Sequence, residues 1–83
     1  MTKTVDEPVV MLGAERGWPG HTFIWRDQEH EILTVGGHWA RRGRWWIGEG
    51  CRYYFRITTL SNLSVDLCYD SAAHGWTLAE IWD

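Results

Sequence analysis

Apolar and polar residues alternate along several stretches of the chain, with a period of two residues. The alternation is regular from His21 to Arg26 and again from Arg52 to Thr59. It predicts half-buried β-strands, because successive side chains of a strand point to opposite faces of the sheet. No apolar pattern at helical spacing persists along the chain. The sequence therefore predicts an all-β fold.

The predicted strands are short and are separated by glycine-rich or polar turns. They cover residues 8–12, 21–26, 29–39, 52–59, 64–70 and 76–82. Their short connections predict one small antiparallel meander of about six strands over residues 8–83, with a bulge or bend at Gly36-Gly37. We expect the sheet to roll into a partly closed barrel, because closure hides strand edges. Residues 1–7 are polar and predict a flexible N-terminus.

The last predicted strand is apolar on both faces. Trp76, Leu78 and Trp82 share one face, and Ala79 and Ile81 share the other. A strand of this kind lies inside a closed or sandwiched sheet, or it uses its second face as an interface. Both interpretations are compatible with the predicted barrel.

The chain has two cysteines, and the predicted sheet keeps them apart. A turn around Ser61 and Asn62 places Phe55 opposite Cys68, so that Cys51 lies four residues further along its strand. At about 3.3 Å per residue, that separation exceeds the limit of about 7 Å for a disulfide. We therefore predict free thiols.

The segment from Trp39 to Ile57 is rich in aromatic residues and carries five of the eight basic residues. Its one acid is Glu49, whereas the rest of the chain has three basic and ten acidic residues, and the net charge is −3. Guanidinium groups pair with oxyanions and stack on aromatic rings, so this segment is a candidate binding surface for phosphates or carboxylates. The candidate binding residues are Trp39, Arg41, Arg42, Arg44, Trp45, Trp46, Arg52, Tyr54 and Arg56.

A second interpretation of this segment carries equal weight. Ala40–Arg44 predicts a reversal of the chain, which would place Trp39 and Trp45 opposite each other in a hairpin. The aromatic residues of such a hairpin could belong to the core while its arginines are solvated. Exposure of the rings distinguishes the two interpretations.

Residue types that support catalysis or metal binding do not form a recognisable motif. The four histidines lack the close spacing of zinc ligands, and no glycine-rich phosphate loop opens a helix. Neither cysteine has a histidine nearby in the sequence. We predict a protein without enzymatic activity, metal or cofactor.

The lack of a membrane span or signal peptide in the sequence, together with the net charge, limits the kinds of molecule that we expect the protein to bind. No apolar run approaches the roughly 20 residues of a membrane span, and the first residues lack the features of a signal peptide. We therefore expect a cytoplasmic protein that does not bind membranes. A net charge of −3 also argues against nonspecific wrapping of duplex DNA, which depends on neutralising many phosphates.

Several short motifs from residue 23 onwards resemble a known bacterial family. They are Phe23-Ile24-Trp25-Arg26, Trp39, Trp45-Trp46, Arg52-Tyr53-Tyr54-Phe55-Arg56-Ile57, Leu67-Cys68-Tyr69-Asp70, Trp76-Thr77-Leu78 and Ile81-Trp82-Asp83. On these residues the chain resembles a small bacterial domain of unknown function that is similar to the C-terminal segment of ImuB. ImuB is the catalytically inactive, polymerase-like protein of a damage-induced mutagenesis cassette. The resemblance implies an accessory role through contacts with replication and repair proteins.

Three classes of function follow from these observations. The first is a noncatalytic module that docks a protein partner, as an accessory in DNA repair or damage-induced mutagenesis. The second is a single-stranded nucleic-acid-binding domain, in which bases stack on the rings and the arginines follow the backbone. The third is a small enzyme. Salt separates the first two, because nucleic acid binding weakens steeply with salt and an apolar contact does not.

Overall fold

A computed structural model of the protein describes residues 2–15 and 17–82, apart from the side chain of Trp45. These residues form an all-β fold, as predicted, with six strands and one short 3-10 turn. The strands are β1 (Thr2–Leu12), β2 (Thr22–Trp25), β3 (Gln28–Arg42), β4 (Cys51–Thr59), β5 (Ser64–Asp70) and β6 (Gly75–Trp82), and the 3-10 turn is Trp45–Ile47. None of the described helices is long and apolar enough to span a membrane.

Hydrogen bonds close the antiparallel meander into a ring. Each strand pairs with the next along the chain, and β1 also pairs with β6. The ring corresponds to the predicted barrel and is complete in the described residues. Closure satisfies the backbone groups that the first and last strands of an open sheet leave exposed.

The first strand begins at Thr2 rather than at Pro8. Thr2 lies opposite Trp82, and Lys3 lies opposite Ile81. The flexible N-terminus predicted for residues 1–7 is therefore corrected for residues 2–7, which belong to a strand. The prediction was wrong because polar residues on the outer side of a paired strand resemble a tail in the sequence.

Among the described residues, a cluster of eight buried hydrophobic side chains from five of the strands fills the ring. They are Val9, Phe23, Phe55, Ile57, Val65, Leu67, Trp76 and Leu78. Phe23, Ile57, Val65, Leu67 and Leu78 are completely inaccessible to solvent. Burial of a side chain of this size contributes about 1.5–3 kcal/mol, so each of these residues stabilises the fold substantially.

A bulge in β6 changes which residues face the core. Relative to β5, the register shifts between Leu78 and Glu80, so that Ala79 is the extra residue. Ile81 consequently packs against the core, while Trp82 lies on the outer surface, 37% exposed. The prediction that Trp82 shares a face with Leu78 was wrong, because a bulge inverts the alternation beyond it.

The β3–β4 hairpin is longer than the sequence predicted. Trp39 lies opposite Tyr54 rather than Trp45, and residues 43–50 connect the two strands. Trp45 begins the 3-10 turn, and its side chain lies outside the described part of the structure. The predicted bulge at Gly36-Gly37 is confirmed, because the β3–β4 register shifts between Val35 and Gly37.

Both cysteines have free thiols, as predicted. The predicted register was wrong by one residue, since Tyr54 lies opposite Cys68 and Phe55 lies opposite Leu67. Phe55 thus points into the core, and Cys68 lies on the outer side of the sheet beneath Tyr54. Cys68 is nevertheless buried, which indicates that longer side chains cover this outer face.

Candidate functional site

A series of aromatic and guanidinium contacts crosses the outer face of the sheet from β3 to β6. The Trp39 and Tyr54 rings stack with an interplanar angle of 7° and centroids 5.6 Å apart. The Arg41 guanidinium lies over the Tyr54 ring at 5.7 Å, and the Arg56 guanidinium lies 5.5 Å from Trp39. Arg56 also lies over Trp82 at 4.2 Å. Because guanidinium groups are attracted to ring faces, these contacts hold the surface in one arrangement.

These side chains line a groove of about 390 Å³ on the outer surface, which we call the aromatic groove. Its walls come from five of the six strands. Its lining residues are Thr4, Asp6, Trp39, Arg41, Arg52, Tyr54, Arg56, Asp66, Ala79, Glu80 and Trp82. Trp39 is 36% exposed, so a partner could contact its ring without any rearrangement of the sheet.

A second cavity of about 600 Å³ adjoins the aromatic groove at the end of the β3–β4 hairpin. It shares Arg41, Arg52 and Tyr54 with the groove, and we call it the arginine pocket. Its lining residues are Arg41, Arg42, Gly43, Arg44, Gly48, Glu49, Gly50, Arg52, Tyr54, Asp70, Ala72 and Ala73. The two cavities form one continuous surface with an aromatic part and a basic part.

The loop of residues 43–50 shapes the arginine pocket. Gly43 donates its backbone N–H to the Gly50 carbonyl at 3.2 Å, and a Cβ on Gly43 would lie 2.4 Å from that oxygen. Glu49 accepts hydrogen bonds from the Arg44 backbone N–H at 2.9 Å and from its guanidinium at 3.0 Å. These bonds lower the pKa of the Glu49 carboxyl, because they stabilise its charged form. The loop is therefore fixed by its own hydrogen bonds.

Three of the five arginines of the surface have acidic neighbours. Arg44 pairs with Glu49 at 3.0 Å, Arg52 lies 3.8 Å from Asp70, and Arg56 pairs with Asp66 at 3.2 Å. The pKa of Arg52 is raised mainly by a side-chain hydrogen bond with Tyr54. The charge of Asp70 raises it to a smaller extent. Arg41 and Arg42 have no acidic partner among the described residues.

Comparison with known proteins identifies the family of the chain. A family model described as a domain of unknown function (DUF6504) matches residues 1–83. The chain belongs to this family. No curated protein and no solved structure matches it. The family assignment agrees with the predicted resemblance to a domain of unknown function, whereas a relationship to ImuB is not among these findings.

The DUF6504 domain brings most of the predicted binding residues together. Five of them line the aromatic groove, namely Trp39, Arg41, Arg52, Tyr54 and Arg56. Arg42 and Arg44 line the arginine pocket. Trp46 is 66% exposed on the 3-10 turn and is not a lining residue of either cavity. The side chain of Trp45 lies outside the described residues.

One wall of the aromatic groove in this domain was not predicted from the sequence. That wall consists of Trp82 and the acids Asp6, Asp66 and Glu80. The two-sided apolarity of the last strand was the available signal for Trp82, because it indicated that part of the apolar surface of this strand could lie outside the core. The acids gave no signal, since they lie far from the arginines in sequence.

Features that would indicate catalysis or metal binding in the DUF6504 domain are weak. Burial raises the pKa of the Cys68 thiol, against the lowering effects of Tyr54 and Arg52, so that thiol is not activated as a nucleophile. The hydrogen bonds of Cys51 that the structure describes run between its backbone and Ser71. Among the described residues, no cluster of three metal-ligating side chains occurs.

Proposed function

We propose that this domain is a noncatalytic module that binds a protein partner through the aromatic groove. The carrying observation is the stack of the exposed Trp39 ring on the half-buried Tyr54 ring, which Arg56 joins to Trp82. Tryptophan, tyrosine and arginine are the residue types that dominate binding energy at protein interfaces. Their mutual contacts fix the side chains before binding, which reduces the entropy lost when a partner docks.

Charge and ring geometry favour a protein over single-stranded nucleic acid. A base that stacked on Trp39 or Tyr54 would compete with contacts these rings already make with each other and with arginines. Asp6, Asp66 and Glu80 also line the aromatic groove and offset the charge of its three arginines, so the groove has no net positive charge to attract a phosphate backbone. A protein surface with both apolar and charged groups fits this lining better than a polyanion.

The class of partner follows from the resemblance noted in the sequence. The motifs Trp39 and Arg52–Ile57, which resemble the ImuB C-terminal segment, supply both rings of the stack and its contact with Arg56. We therefore extend the proposal to a partner among replication and repair proteins. The domain would then act as an accessory in DNA repair or damage-induced mutagenesis.

Binding of a captured partner tests the proposal. Proteins retained by the immobilised domain from a lysate of its own cell are purified, and their affinity is measured by calorimetry. Trp39→Ala should weaken binding at least about 30-fold, the effect of losing a hot-spot residue of about 2 kcal/mol. The matched control is Leu33→Ala, which removes an exposed apolar residue of the same strand that lines neither cavity.

Two outcomes would contradict the proposal. Equal affinities for the wild type and a folded Trp39→Ala variant would show that the groove is not the interface. Tight binding of an oligonucleotide that weakens steeply between about 50 and 200 mM salt would favour the nucleic acid alternative. Circular dichroism of each variant confirms that it is folded before its affinity is compared.

A further inference from the structure

Two like charges lie directly opposite each other at the border between the aromatic groove and the arginine pocket. Arg41 on β3 is the cross-strand partner of Arg52 on β4, and both side chains line both cavities. Directly opposed residues of an antiparallel pair have Cβ atoms about 4.5–5.5 Å apart, and like charges at that spacing are destabilising. The sheet therefore carries an arrangement that its own stability does not favour.

The local acids compensate only part of the positive charge. The arginine pocket has four arginines and two acids, Glu49 and Asp70. Glu49 is bound to Arg44, while Asp70 lies beside Arg52 and accepts hydrogen bonds from the Ala72 and Ala73 backbone N–H groups. A net charge of +2 remains, and in the described residues Arg41 and Arg42 lack an acidic partner.

We propose that the arginine pocket binds carboxylate side chains of an acidic segment in the protein partner. One or two carboxylates would bridge Arg41 and Arg52, which lie opposite each other on the same face of the sheet, and would convert the repulsion into charge-assisted hydrogen bonds. The proposal rests on the proposed function, because the same partner would place its apolar residues in the aromatic groove. The bound segment of the partner would therefore have acidic residues next to apolar or aromatic residues.

The acidic residues next to the arginine pocket favour binding of a short acidic segment over binding of a long polyanion. Asp6, Asp66 and Glu80 line the adjoining groove, and the chain as a whole has a net charge of −3. A polyanion that continued beyond the pocket would meet these carboxylates within the screening length of about 8–10 Å. Two carboxylates match the residual charge of +2 of the pocket without extending into the groove, where the acids offset the arginines.

Capped octapeptides test the proposal with the full chain. The first has two glutamates followed by a leucine and a phenylalanine, the second has glutamines in place of the glutamates, and oligothymidylate serves as the polyanion. Binding is followed at 50 mM salt by NMR signals of arginine Nε–H groups. The glutamate peptide should shift the signals of Arg41 and Arg52, and it should bind about tenfold more tightly than the glutamine peptide.

Substitution of the opposed arginine separates binding from stability. Arg41→Gln should remove the preference for the glutamate peptide and raise the melting temperature of the free domain, since the repulsion with Arg52 disappears. Lys3→Gln changes the net charge equally, away from both cavities, and should leave the preference intact. A purely structural Arg41 would instead lower the melting temperature when replaced.

The outcomes distinguish this inference from the function on which it rests. Equal binding of the two peptides, lost in Trp39→Ala, would overturn carboxylate recognition and leave the groove as an interface. Absence of arginine shifts with the glutamate peptide at millimolar concentration would also overturn it. Tighter binding of oligothymidylate at the same arginine signals would overturn both, in favour of a nucleic acid site.

Discussion

Arg56 joins side chains from three other strands on the outer face of the ring. Its guanidinium lies 5.5 Å from Trp39 and 4.2 Å from Trp82, and its Nε donates to Asp66 Oδ1 at 3.2 Å. The Asp66 side chain is only 5% exposed. A planar guanidinium can stack on rings and bind a carboxylate at the same time, which a lysine ammonium cannot do equally well. Arg56 therefore has both a structural role and a place in the groove.

Replacement of Arg56 should destabilise the fold through the acid that it leaves behind. In Arg56→Gln, the buried Asp66 carboxylate loses its guanidinium partner, and we expect a loss of about 1–3 kcal/mol in the free energy of unfolding. Urea denaturation measures this loss. The double variant Arg56→Gln, Asp66→Asn should recover part of it, because no charge then remains buried. A single variant as stable as the wild type would show that the Arg56–Asp66 pair contributes nothing net.

At the scale of strands, one acid of β1 holds the β2–β3 turn. Glu7 accepts hydrogen bonds from Trp25 Nε1 at 3.1 Å and from Arg26 Nε at 2.8 Å. Arg26 and Asp27 form the two-residue turn, with φ values of 51° and 62°. Such left-handed residues are the pattern of a type I′ turn, whose twist matches the flanking strands. Glu7 thus fixes a strained turn from a neighbouring strand.

The contribution of Glu7 to stability should depend on pH. The side-chain hydrogen bond from Arg26 lowers the pKa of Glu7 below its ordinary value of 4.5. The stabilisation is therefore complete above the unfolded pKa and is lost as the pH falls through the lower folded pKa. The difference in melting temperature between wild type and Glu7→Gln should be present at pH 7 and disappear in strong acid. A difference that is constant with pH would contradict this assignment.

The approximate positions of the strands could be predicted from the sequence, whereas the register in which neighbouring strands pair could not. Alternation identified the strands because it depends only on local burial, and the glycine pair marked the bulge at Gly36-Gly37. The stack of Trp39 on Tyr54 depends on the length of the hairpin loop, which no local pattern reveals. The outward position of Trp82 depends on a bulge at Ala79, where no glycine marks the irregularity. The groove therefore needed the three-dimensional structure.

At the scale of the whole molecule, closure of the ring depends strongly on the N-terminal half of β1. The short strand β2 pairs with β1 only at Val10, Met11 and Leu12. The β1–β6 pairing is longer and runs from Thr2 to Val9. Val5 adds packing against the core, and Thr4 and Asp6 form part of the aromatic groove. The polar start of the chain thus supports both the ring and the site.

Removal of residues 2–7 should open the ring rather than trim a tail. The truncated protein loses the pairs of Thr2, Lys3, Thr4 and Glu7 with β6, the packing of Val5 and the hydrogen bonds of Glu7 to the β2–β3 turn. At about 1 kcal/mol for each net hydrogen bond, we expect a loss of about 2–4 kcal/mol in the free energy of unfolding. For a domain of this size, that corresponds to a decrease of roughly 10 °C or more in melting temperature by calorimetry.

The exposed edge of β6 gives the same truncation a second, independent readout. Unpaired strand edges promote association between chains, so the truncated protein should form dimers or larger species in size-exclusion chromatography. A matched variant with glycine-serine-glycine at positions 2–4 keeps the backbone hydrogen bonds and Val5, and it should remain closer to the wild type in both measurements. A truncated protein with unchanged melting temperature and elution volume would show that β1 residues 2–7 do not hold the ring closed. In that case the residual pairing of Pro8 and Val9 with β6 must suffice for closure.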